Sequence, residues 1–471
     1  MVDIAAPALS AERIQAFAGT LQGEVIRPGD PPYDEARRVW NGMIDRRPAL
    51  IARCQGVADV MACVTFAAEQ DLVLSVRGGG HNVAGFGTCD DGLVIDLSAM
   101  RGVRVDPVRR TVRAEGGATW GDVDRQTQLF GLAAPGGIHS KTGIAGLTLG
   151  GGQGWLRRTY GMSCDSLLSA DVVTADGRLL VASETENADL FWALRGGGGN
   201  FGVVTSFEYR LHPVGPLVAF AGPIYPVEET ARVTAGFGGF MTEAPDEINA
   251  SLAWWSIPAV PAFPEELHGQ AVVILPAVYI GMPDEGAARL RPLCHIATPI
   301  ADLSTTLPFT ALQQLFDPFF PQGERHYWKS LYLASLDGEV VDEIASWSQR
   351  RPCTNSMAVV AALGGAFDRI EPDATAIGDR TAPYLLEILA DWTDPADTEQ
   401  NITWARDFFA AMTRFGSGKT NLNFPGLGED PQFVHSAFGR NYERLAALKT
   451  IYDPTNLFRL NQNIKPAPHL A

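Results

Sequence analysis

A stretch in the first quarter of the chain combines a glycine cluster with a histidine: residues 72–87 read LVLSVRGGGHNVAGFG. The apolar run at 72–76 predicts a buried strand, and the three glycines after it allow backbone conformations that other residues avoid. Successive backbone N–H groups in such a turn form a concave site for a phosphate or pyrophosphate. His81 follows directly, so the stretch predicts a bound cofactor beside a nucleophilic nitrogen. The alternative is a tight turn followed by a surface histidine.

A second glycine cluster begins at Gly136, where the chain reads GGIHSKTGIAGLTLGGGQGWLRRTYG. Together the two clusters resemble the FAD-linked oxidases that include berberine bridge enzyme and 6-hydroxynicotine oxidase, within the vanillyl-alcohol oxidase superfamily. The R-x-G-G-H pattern of that family is matched by Arg77, Gly79, Gly80 and His81. Its G-x-x-G-L-x-x-G-G-G-x-G pattern is matched by Gly143, Gly146, Leu147, Gly150, Gly151, Gly152 and Gly154. With YDPTNLFRLNQNIKP at 452–466 as a third match, the resemblance covers nearly the whole chain.

The resemblance implies an α+β fold with two domains: a vanillyl-alcohol-oxidase-type FAD-binding fold and an antiparallel-sheet substrate domain. We place the N-terminal part of the FAD-binding domain at 1–213, the substrate-binding domain at 214–431, and a segment returning to the FAD domain at 432–471. The residues support this division, because after Pro213 the glycine clusters stop and aromatic residues become denser. Asp176 and Gly177 predict a hairpin. Hydrophobic periodicity predicts helices at 57–70, 119–130, 284–291 and 401–415, and strands at 72–76 and 93–97.

The family implies FAD as the cofactor, bound covalently to His81 through the 8α-methyl group of its isoalloxazine. Such a bond withdraws electron density and fixes the ring, while the cofactor supplies the chemistry. Members that attach the flavin twice use a cysteine where this chain has His139, so we expect one link only. The residues expected to contact the cofactor are Arg77, Gly78, Gly79, Gly80, His81, Asn82, Gly85, Gly137, His139, Thr142, Gly143, Ile144, Gly146, Gly150, Gly152, Gly154, Trp155, Val203, Val204, Asn461 and Asn463.

Residues 196–202, GGGGNFG, contain a G-x-G-x-x-G pattern that by itself suggests a nicotinamide dinucleotide site. That fingerprint must follow a strand and open a helix, with an acidic residue about 20 positions later. The preceding NADLFWALR predicts a helix, and no Asp or Glu stands at that distance. We therefore reject a nicotinamide site. The family instead implies that Val203 and Val204 lie along the flavin.

Three side chains are candidates for the catalytic base: His139, Tyr327 and Lys329. Plant members of the family use a tyrosine in a Y-L-N-Y segment, but residues 421–424 read NLNF, and Phe424 cannot accept a proton. His139 either serves as base or donor at the open edge of the ring or is hydrogen-bonded to backbone. Tyr327 and Lys329 share one face of a predicted strand, and if this face meets the flavin, burial would lower the pKa of Lys329. The alternative is a solvent-facing lysine on a sheet edge.

The resemblance implies an FAD-linked oxidase that removes a hydride from a C–H bond next to an alcohol or amine and passes the electrons to dioxygen, giving hydrogen peroxide. The aromatic-rich middle of the chain favours a cyclic or aromatic organic substrate. Ile144 occupies the position said to gate oxygen, where valine is typical of oxidases and leucine of dehydrogenases, so isoleucine leaves the choice open. The alternatives are a flavin dehydrogenase with another acceptor and a flavoprotein that binds its ligand without turnover.

The chain has 471 residues and a net charge of −17, from 37 Lys and Arg against 54 Asp and Glu. This balance argues against nucleic acid as a partner. No apolar run approaches the ~20 residues that span a bilayer, and the N-terminus lacks the pattern of a secretory signal, so we expect a cytoplasmic enzyme that does not bind membranes. Six scattered cysteines and eight scattered histidines predict neither disulfides nor a metal site. The oligomeric state stays open.

Overall fold

A computed structural model describes residues 9–260, 263–378, 380–424 and 431–468. The elements of its first sheet are β1 (Glu24–Ile26), β2 (Leu50–Arg53), β3 (Leu74–Arg77) and β4 (Leu93–Asp96), with helices α1 (Ala11–Ala18), α2 (Tyr33–Ala36) and α3 (Val57–Glu69). The strand order is β1-β2-β4-β3, and β4 runs parallel to both of its neighbours. Helix α3 joins β2 to β3, the two parallel strands that flank β4. The predicted helix at 57–70 and the strands at 72–76 and 93–97 are confirmed to within two residues.

The second sheet is antiparallel, and the glycine cluster that begins at Gly136 lies between its strands. Its elements are β5 (Val103–Asp106), β6 (Thr111–Glu115), β7 (Leu132–Ala133), β8 (Leu167–Val173), β9 (Leu179–Ser183), β10 (Val203–Arg210) and β11 (His212–Pro213), with α4 (Trp120–Thr127), α5 (Ile144–Leu149), α6 (Arg157–Tyr160) and α7 (Ala188–Leu194). Five strands follow the order β5-β6-β10-β8-β9, and β7 pairs with β11 separately. The hairpin at Asp176 and Gly177 joins β8 to β9 as predicted. Thr119 caps α4, and Gly131 ends the following 3₁₀ turn with φ of 64°.

The third sheet has ten strands and carries helices on one face. Its elements are β12 (Leu217–Ala221), β13 (Pro223–Pro226), β14 (Ile248–Ser256), β15 (Ala271–Ile274), β16 (Ala277–Tyr279), β17 (Ala301–Asp302), β18 (Thr305–Pro308), β19 (Arg325–Leu333), β20 (Met357–Ala362) and β21 (Tyr384–Trp392), with α8 (Thr230–Glu243), α9 (Pro283–Leu290), α10 (Phe309–Leu312), α11 (Gly338–Gln349) and α12 (Thr398–Met412). Apolar residues of α8, α9, α11 and α12 pack against the sheet, and Phe408 of α12 shares one core with Trp254 and Leu386 of the strands. The α+β class and the antiparallel sheet covered by helices on one face are confirmed.

The C-terminal segment returns to the first two sheets. Its helices are α13 (Pro431–Phe438) and α14 (Tyr442–Tyr452). Leu445 of α14 lies in the core of the second sheet, and Leu457 and Phe458 lie in the core of the first. Lys449 is fully buried and donates to Asp453 and to two backbone carbonyls, which fixes the turn after α14. The domain boundaries at 213 and 431 stay predictions. Among the described residues, no helix is long and apolar enough to cross a membrane.

Candidate active site

A cavity of about 310 Å³ lies between the first two sheets and one face of the third. One side of it is formed by the turn after β3, the second glycine cluster and the start of β10. The other side is formed by side chains of β19 and β21 together with aromatic residues from the loops. The two sides differ in chemistry, because the first presents mainly backbone and the second presents aromatic rings, amide side chains and one carboxyl group.

On the glycine-rich side, the two clusters meet backbone to backbone at Gly79 and Gly143. A Cβ on Gly79 would lie 2.4 Å from the backbone N of Gly143, and a Cβ on Gly143 would lie equally close to the backbone N of Gly79. No side chain fits at such a contact. Gly80 then turns the chain with φ of 65°, and His81 and Asn82 line the cavity beyond it. The glycines shared by the two motifs therefore hold two distant segments together.

Arg77 ties the end of β3 to the neighbouring strand and so supports the glycine turn. Its Nη2 donates to Asp96 Oδ2 at 2.8 Å, and its Nη1 donates to the Arg38 carbonyl at 3.2 Å. Burial alone would raise the pKa of Asp96, but the charge and hydrogen bonds of Arg77 hold it below its ordinary value. A buried and ionised pair at this point fixes the strand end from which His81 projects.

The His81 ring stands at the cavity and is stacked on Trp40, with ring centroids 4.0 Å apart and 15° between the planes. Its Nε2 is buried and has no hydrogen-bond partner. Burial lowers the pKa of His81 well below its ordinary value, and the nearby His139 and His326 lower it further. The imidazole is therefore neutral at pH near 7, and a neutral imidazole keeps one nitrogen unprotonated. That is the form a nucleophilic nitrogen requires.

His139 lies beside His81, with ring centroids 4.9 Å apart, and also lines the cavity. The backbone N of Lys141 donates to its Nδ1 at 3.3 Å, and Asp317 Oδ1 lies 3.4 Å from the same atom. Ser140 holds Asp317 in place by donating from its backbone N and its hydroxyl. Burial lowers the pKa of His139, and the charge of Asp317 partly offsets this effect. Its Nε2 is buried without a partner, so a backbone bond at Nδ1 coexists with an unused nitrogen at Nε2.

The opposite side of the cavity is rich in aromatic rings and, among the described residues, holds a single carboxyl group. Trp328 on β19 pairs with Leu389 on β21, and Glu387 lies two positions away on the same face. The aromatic lining residues are Phe316, Phe320, Trp328 and Phe424. Burial raises the pKa of Glu387 to about 7, although the nearby Arg157 lowers it. Sequence reasoning missed Glu387, and the available signal is a lone acidic residue in the apolar run YLLEILADW at 384–392.

The prediction that Tyr327 and Lys329 could face the cofactor is wrong. They alternate with Trp328 and therefore point to the opposite face of β19, beneath α12. Lys329 Nζ lies 4.7 Å from the centroid of the Phe409 ring, and Arg406 Nε donates to the Tyr327 hydroxyl at 3.1 Å. Both side chains are buried, so the alternative of a solvent-facing lysine is wrong as well. Tyr327 and Lys329 do share one face of the strand, as inferred, but this face points away from the cavity.

Most of the residues expected to contact the cofactor line the cavity. They are Arg77, Gly78, Gly79, Gly80, His81, Asn82, Gly137, His139, Thr142, Gly143, Gly146, Gly150, Val203, Val204 and Asn461. The remaining ones do not line it: Gly85, Ile144, Gly152, Gly154, Trp155 and Asn463. Gly152 and Gly154 serve packing, because a Cβ there would meet Ser163 Oγ at 2.3 Å and the Gly136 carbonyl oxygen at 2.2 Å.

Ile144 is fully buried in the core of the second sheet. Its neighbours Thr142 and Ala145 line the cavity instead. The expectation that the Ile144 side chain itself controls oxygen at the cavity is therefore not supported by its position.

The loop at 196–202 also contributes glycines to the cavity, although no nicotinamide site was expected there. Its Asn200 is buried, and its Nδ2 donates to the carbonyls of Gly197 at 2.8 Å and Gln462 at 3.1 Å. The backbone N of Ile464 donates to Asn200 Oδ1 at 2.9 Å. These bonds hold the C-terminal tail so that Asn461 and Gln462 reach the cavity.

The cavity suits a ligand that combines a phosphate-like group with a polar, partly apolar ring system. Glycine backbones that line a cavity suit a pyrophosphate. His81 Nε2 and Asn461 Oδ1 are buried without partners and so are available to a bound group. Within the described part of the chain, no group of three or more His, Cys, Asp or Glu residues could hold a metal ion. These are the features of a protein that binds a flavin dinucleotide.

Comparison with known proteins agrees with this class. The FAD binding domain family matches residues 48–183, and the family described as berberine and berberine like matches 420–465. (R)-6-hydroxynicotine oxidase from Paenarthrobacter nicotinovorans is 33% identical over 458 residues, which is 95% of this chain and 97% of that protein. Xylooligosaccharide oxidase from Thermothelomyces thermophilus is 29% identical, over 91% of this chain and 89% of that one.

A crystal structure of 6-hydroxy-D-nicotine oxidase from Arthrobacter nicotinovorans superimposes with a TM-score of 0.85 at 31% identity and covers 95% of this chain and 98% of that chain. The chain therefore belongs to the berberine bridge enzyme-like family of FAD-linked oxidoreductases, in the vanillyl-alcohol oxidase superfamily. The recognition of the family and its fold type from the glycine clusters and the C-terminal motif is confirmed.

Proposed function

We propose that the protein is an oxidase that removes a hydride from a carbon next to an alcohol or amine of a cyclic or aromatic substrate. Bound FAD supplies the two-electron chemistry, with dioxygen as the final acceptor and hydrogen peroxide as the product. The observation that carries the proposal is one cavity in which His81 stands on the glycine-rich side and Glu387 on the aromatic side. Relatives named as oxidases support dioxygen as the acceptor.

We propose His81 as the single covalent anchor of FAD. Its neutral state and its unpartnered Nε2 support this role. A second link would need a nucleophilic sulfur where the chain has His139. The buried polar atom at Asn461 and the valines that begin β10, Val203 and Val204, complete the set of side chains proposed to hold the cofactor.

Glu387 is the proposed base that takes the proton from the substrate hydroxyl or amine. A base works best when its pKa lies near the operating pH, and burial places the pKa of Glu387 at about 7. The negative charge that Glu387 carries above this pH would also attract a protonated amine. His139 is the second candidate, but burial lowers its pKa and makes it the weaker base.

Two polar side chains of the aromatic side are already bonded within the protein, which favours a ring-shaped substrate with few hydroxyl groups over a sugar. Asn423 already uses its side chain, because Nδ2 donates to the Leu147 carbonyl at 3.1 Å and Oδ1 accepts from the Gly152 backbone N at 3.1 Å. Gln153 Nε2 donates to the Tyr332 hydroxyl at 3.1 Å. A sugar would leave many hydroxyl groups without partners, which is costly in a buried site. Flat aromatic surfaces would instead stack on the rings that line the cavity.

Anaerobic mixing of the purified yellow protein with a panel of cyclic amines, aromatic alcohols and oligosaccharides tests the proposal. We expect bleaching of the flavin by members of the first two classes, followed by rapid return of colour and formation of peroxide when air is admitted. Bleaching with slow reoxidation would favour a dehydrogenase. Bleaching by oligosaccharides alone would contradict the substrate class. A protein that takes up FAD but bleaches with no compound would favour the alternative of a flavoprotein that binds without turnover.

A further inference from the structure

Behind His81 lies a column of stacked rings that does not touch the cavity except at its end. The Trp40 ring is stacked on His81 on one face and on His326 on the other, the latter with centroids 3.7 Å apart and 7° between planes. His326 is fully buried, and its Nδ1 contacts the Asp391 carboxylate. Trp328 Nε1 donates to the same carboxylate oxygen at 2.8 Å. The tryptophan is stacked between two imidazoles, and the second imidazole contacts a carboxylate. This arrangement does more than fill space in the core.

Each member of the column is held by bonds to a different part of the fold. Trp40 Nε1 donates to the Phe320 carbonyl at 3.0 Å, and its backbone N donates to the Gly80 carbonyl at 3.0 Å. The backbone N of Asp391 in turn donates to Ser356 Oγ at 3.0 Å. The Trp40 ring therefore cannot rotate without breaking its bond to the Phe320 carbonyl and its stacking on His81 and His326. Only the last ring of the column, His81, has an unused nitrogen facing a place where a ligand would bind.

We propose that Trp40, His326 and Asp391 position the His81 imidazole for covalent attachment of FAD. The proposal rests on the proposed anchor at His81. Attachment replaces a C–H bond of the 8α-methyl group and the imidazole N–H by one N–C bond. Two protons leave, and the two electrons left on the isoalloxazine are taken by dioxygen, which becomes hydrogen peroxide. The reaction requires the nitrogen to approach the methyl carbon along one direction, so a ring whose plane is fixed in advance reacts faster than a rotating one.

The buried contact between His326 Nδ1 and the Asp391 carboxylate gives the column its rigidity. Leaving a buried polar group without its partner is costly, so this contact is retained in one arrangement. The Trp40 ring packs with one face on His326 and the other on His81. Because stacked rings resist tilting, the fixed position of His326 also limits the tilt of the His81 ring. His139 restricts the ring from its other side at a 57° tilt. The column thus acts on orientation, whereas the low pKa of His81 maintains its neutral state.

Replacement of Trp40 by leucine or phenylalanine tests the column, with Trp404→Leu as the matched control. Trp404 is as buried as Trp40 at 5% exposure, and its Nε1 also donates to a backbone carbonyl at 3.0 Å, but it belongs to α12 and packs in the core of the third sheet. Each purified protein is incubated with excess FAD, and two quantities are followed: flavin bound in the folded state, and flavin that stays on the polypeptide after acid denaturation.

We expect Trp40→Leu to bind FAD but to form the covalent bond roughly tenfold more slowly, because its His81 ring is free to turn. Trp40→Phe keeps a stacked ring and should stay close to the wild type, as should Trp404→Leu. His326→Asn, which keeps a donor for Asp391 but loses the ring, should also slow attachment. If Trp40→Leu attaches flavin as fast as the wild type, or if Trp404→Leu is slowed equally, the column does not position His81. A wild-type protein that keeps no flavin after denaturation would overturn the anchor at His81, and the column with it.

Discussion

Replacing Glu387 by glutamine tests whether this carboxyl group is the base. Glutamine keeps the shape of the side chain but cannot accept the substrate proton. A positioned base contributes about 10²–10⁴ in rate, so we expect reduction of the flavin to slow by about this factor. In the wild type the rate should rise with pH through about 7, the value to which burial raises the pKa of Glu387, and this rise should be absent in the variant. Anaerobic stopped-flow bleaching across this pH range measures both effects.

The same substitution should stabilise the fold at alkaline pH. The pKa of Glu387 rises from its ordinary value of 4.5 to about 7 in the folded chain. At ~1.36 kcal/mol per pKa unit, holding the ionised form costs about 3 kcal/mol. Below pH 4.5 the carboxyl group is neutral in both the folded and the unfolded chain, so it costs the folded state nothing. As the pH rises from 4.5 to about 7, the group ionises more readily in the unfolded chain, and the folded state loses stability. Glu387→Gln should therefore raise the free energy of unfolding by up to about 3 kcal/mol above neutral pH and leave it unchanged in acid.

Asp124→Asn provides the matched control. Burial also raises the pKa of Asp124 to about 7, and Gln313 Nε2 donates to its carboxylate at 3.0 Å, but this side chain does not line the cavity. The control should be more stable above neutral pH, as Glu387→Gln is, without slower reduction of the flavin. Glu387 is not the base if Glu387→Gln reduces its flavin at nearly the wild-type rate and keeps the wild-type pH profile.

Three further substitutions have distinct expected outcomes. His81→Ala should release all flavin on acid denaturation, whereas flavin that stays on the polypeptide would reveal a second link. Lys329→Met should slow reduction by less than about tenfold, roughly 1.4 kcal/mol of barrier, because Lys329 faces Phe409 on the far side of the sheet, and a larger loss in a stably folded variant would contradict this placement. Lys449→Met leaves Asp453 buried without its cation and should lower the free energy of unfolding by about 3–5 kcal/mol in urea titrations. Adding Asp453→Asn to this variant should recover part of the loss. If the double variant is no more stable than Lys449→Met, the broken ion pair is not the cause.

The sequence by itself determined the features that depend on neighbours along the chain or on a strict backbone requirement. Helices such as α3 and hairpins such as that at Gly177 follow from local periodicity and turn chemistry. The glycine clusters can be recognised in the sequence for a related reason. Where the backbones of Gly79 and Gly143 touch, only glycine fits, so the contact determines the residue type at both positions. The family, the anchor candidate His81 and much of the glycine-rich side of the cavity could be inferred from these residue types.

Only the tertiary structure decided which side chains complete the site. Along β19 the residues alternate between two faces, and both faces are buried, one against α12 and one against the cavity. The hydrophobic pattern of the strand therefore could not decide whether Lys329 or Trp328 faces the cavity. Glu387 reaches the same face through the pairing of β19 with β21, and strand register between distant segments depends on packing of the whole sheet rather than on local sequence. The stacking of Trp40 between His81 and His326 is decided in the same way, because it joins segments that are adjacent only after the sheets have assembled.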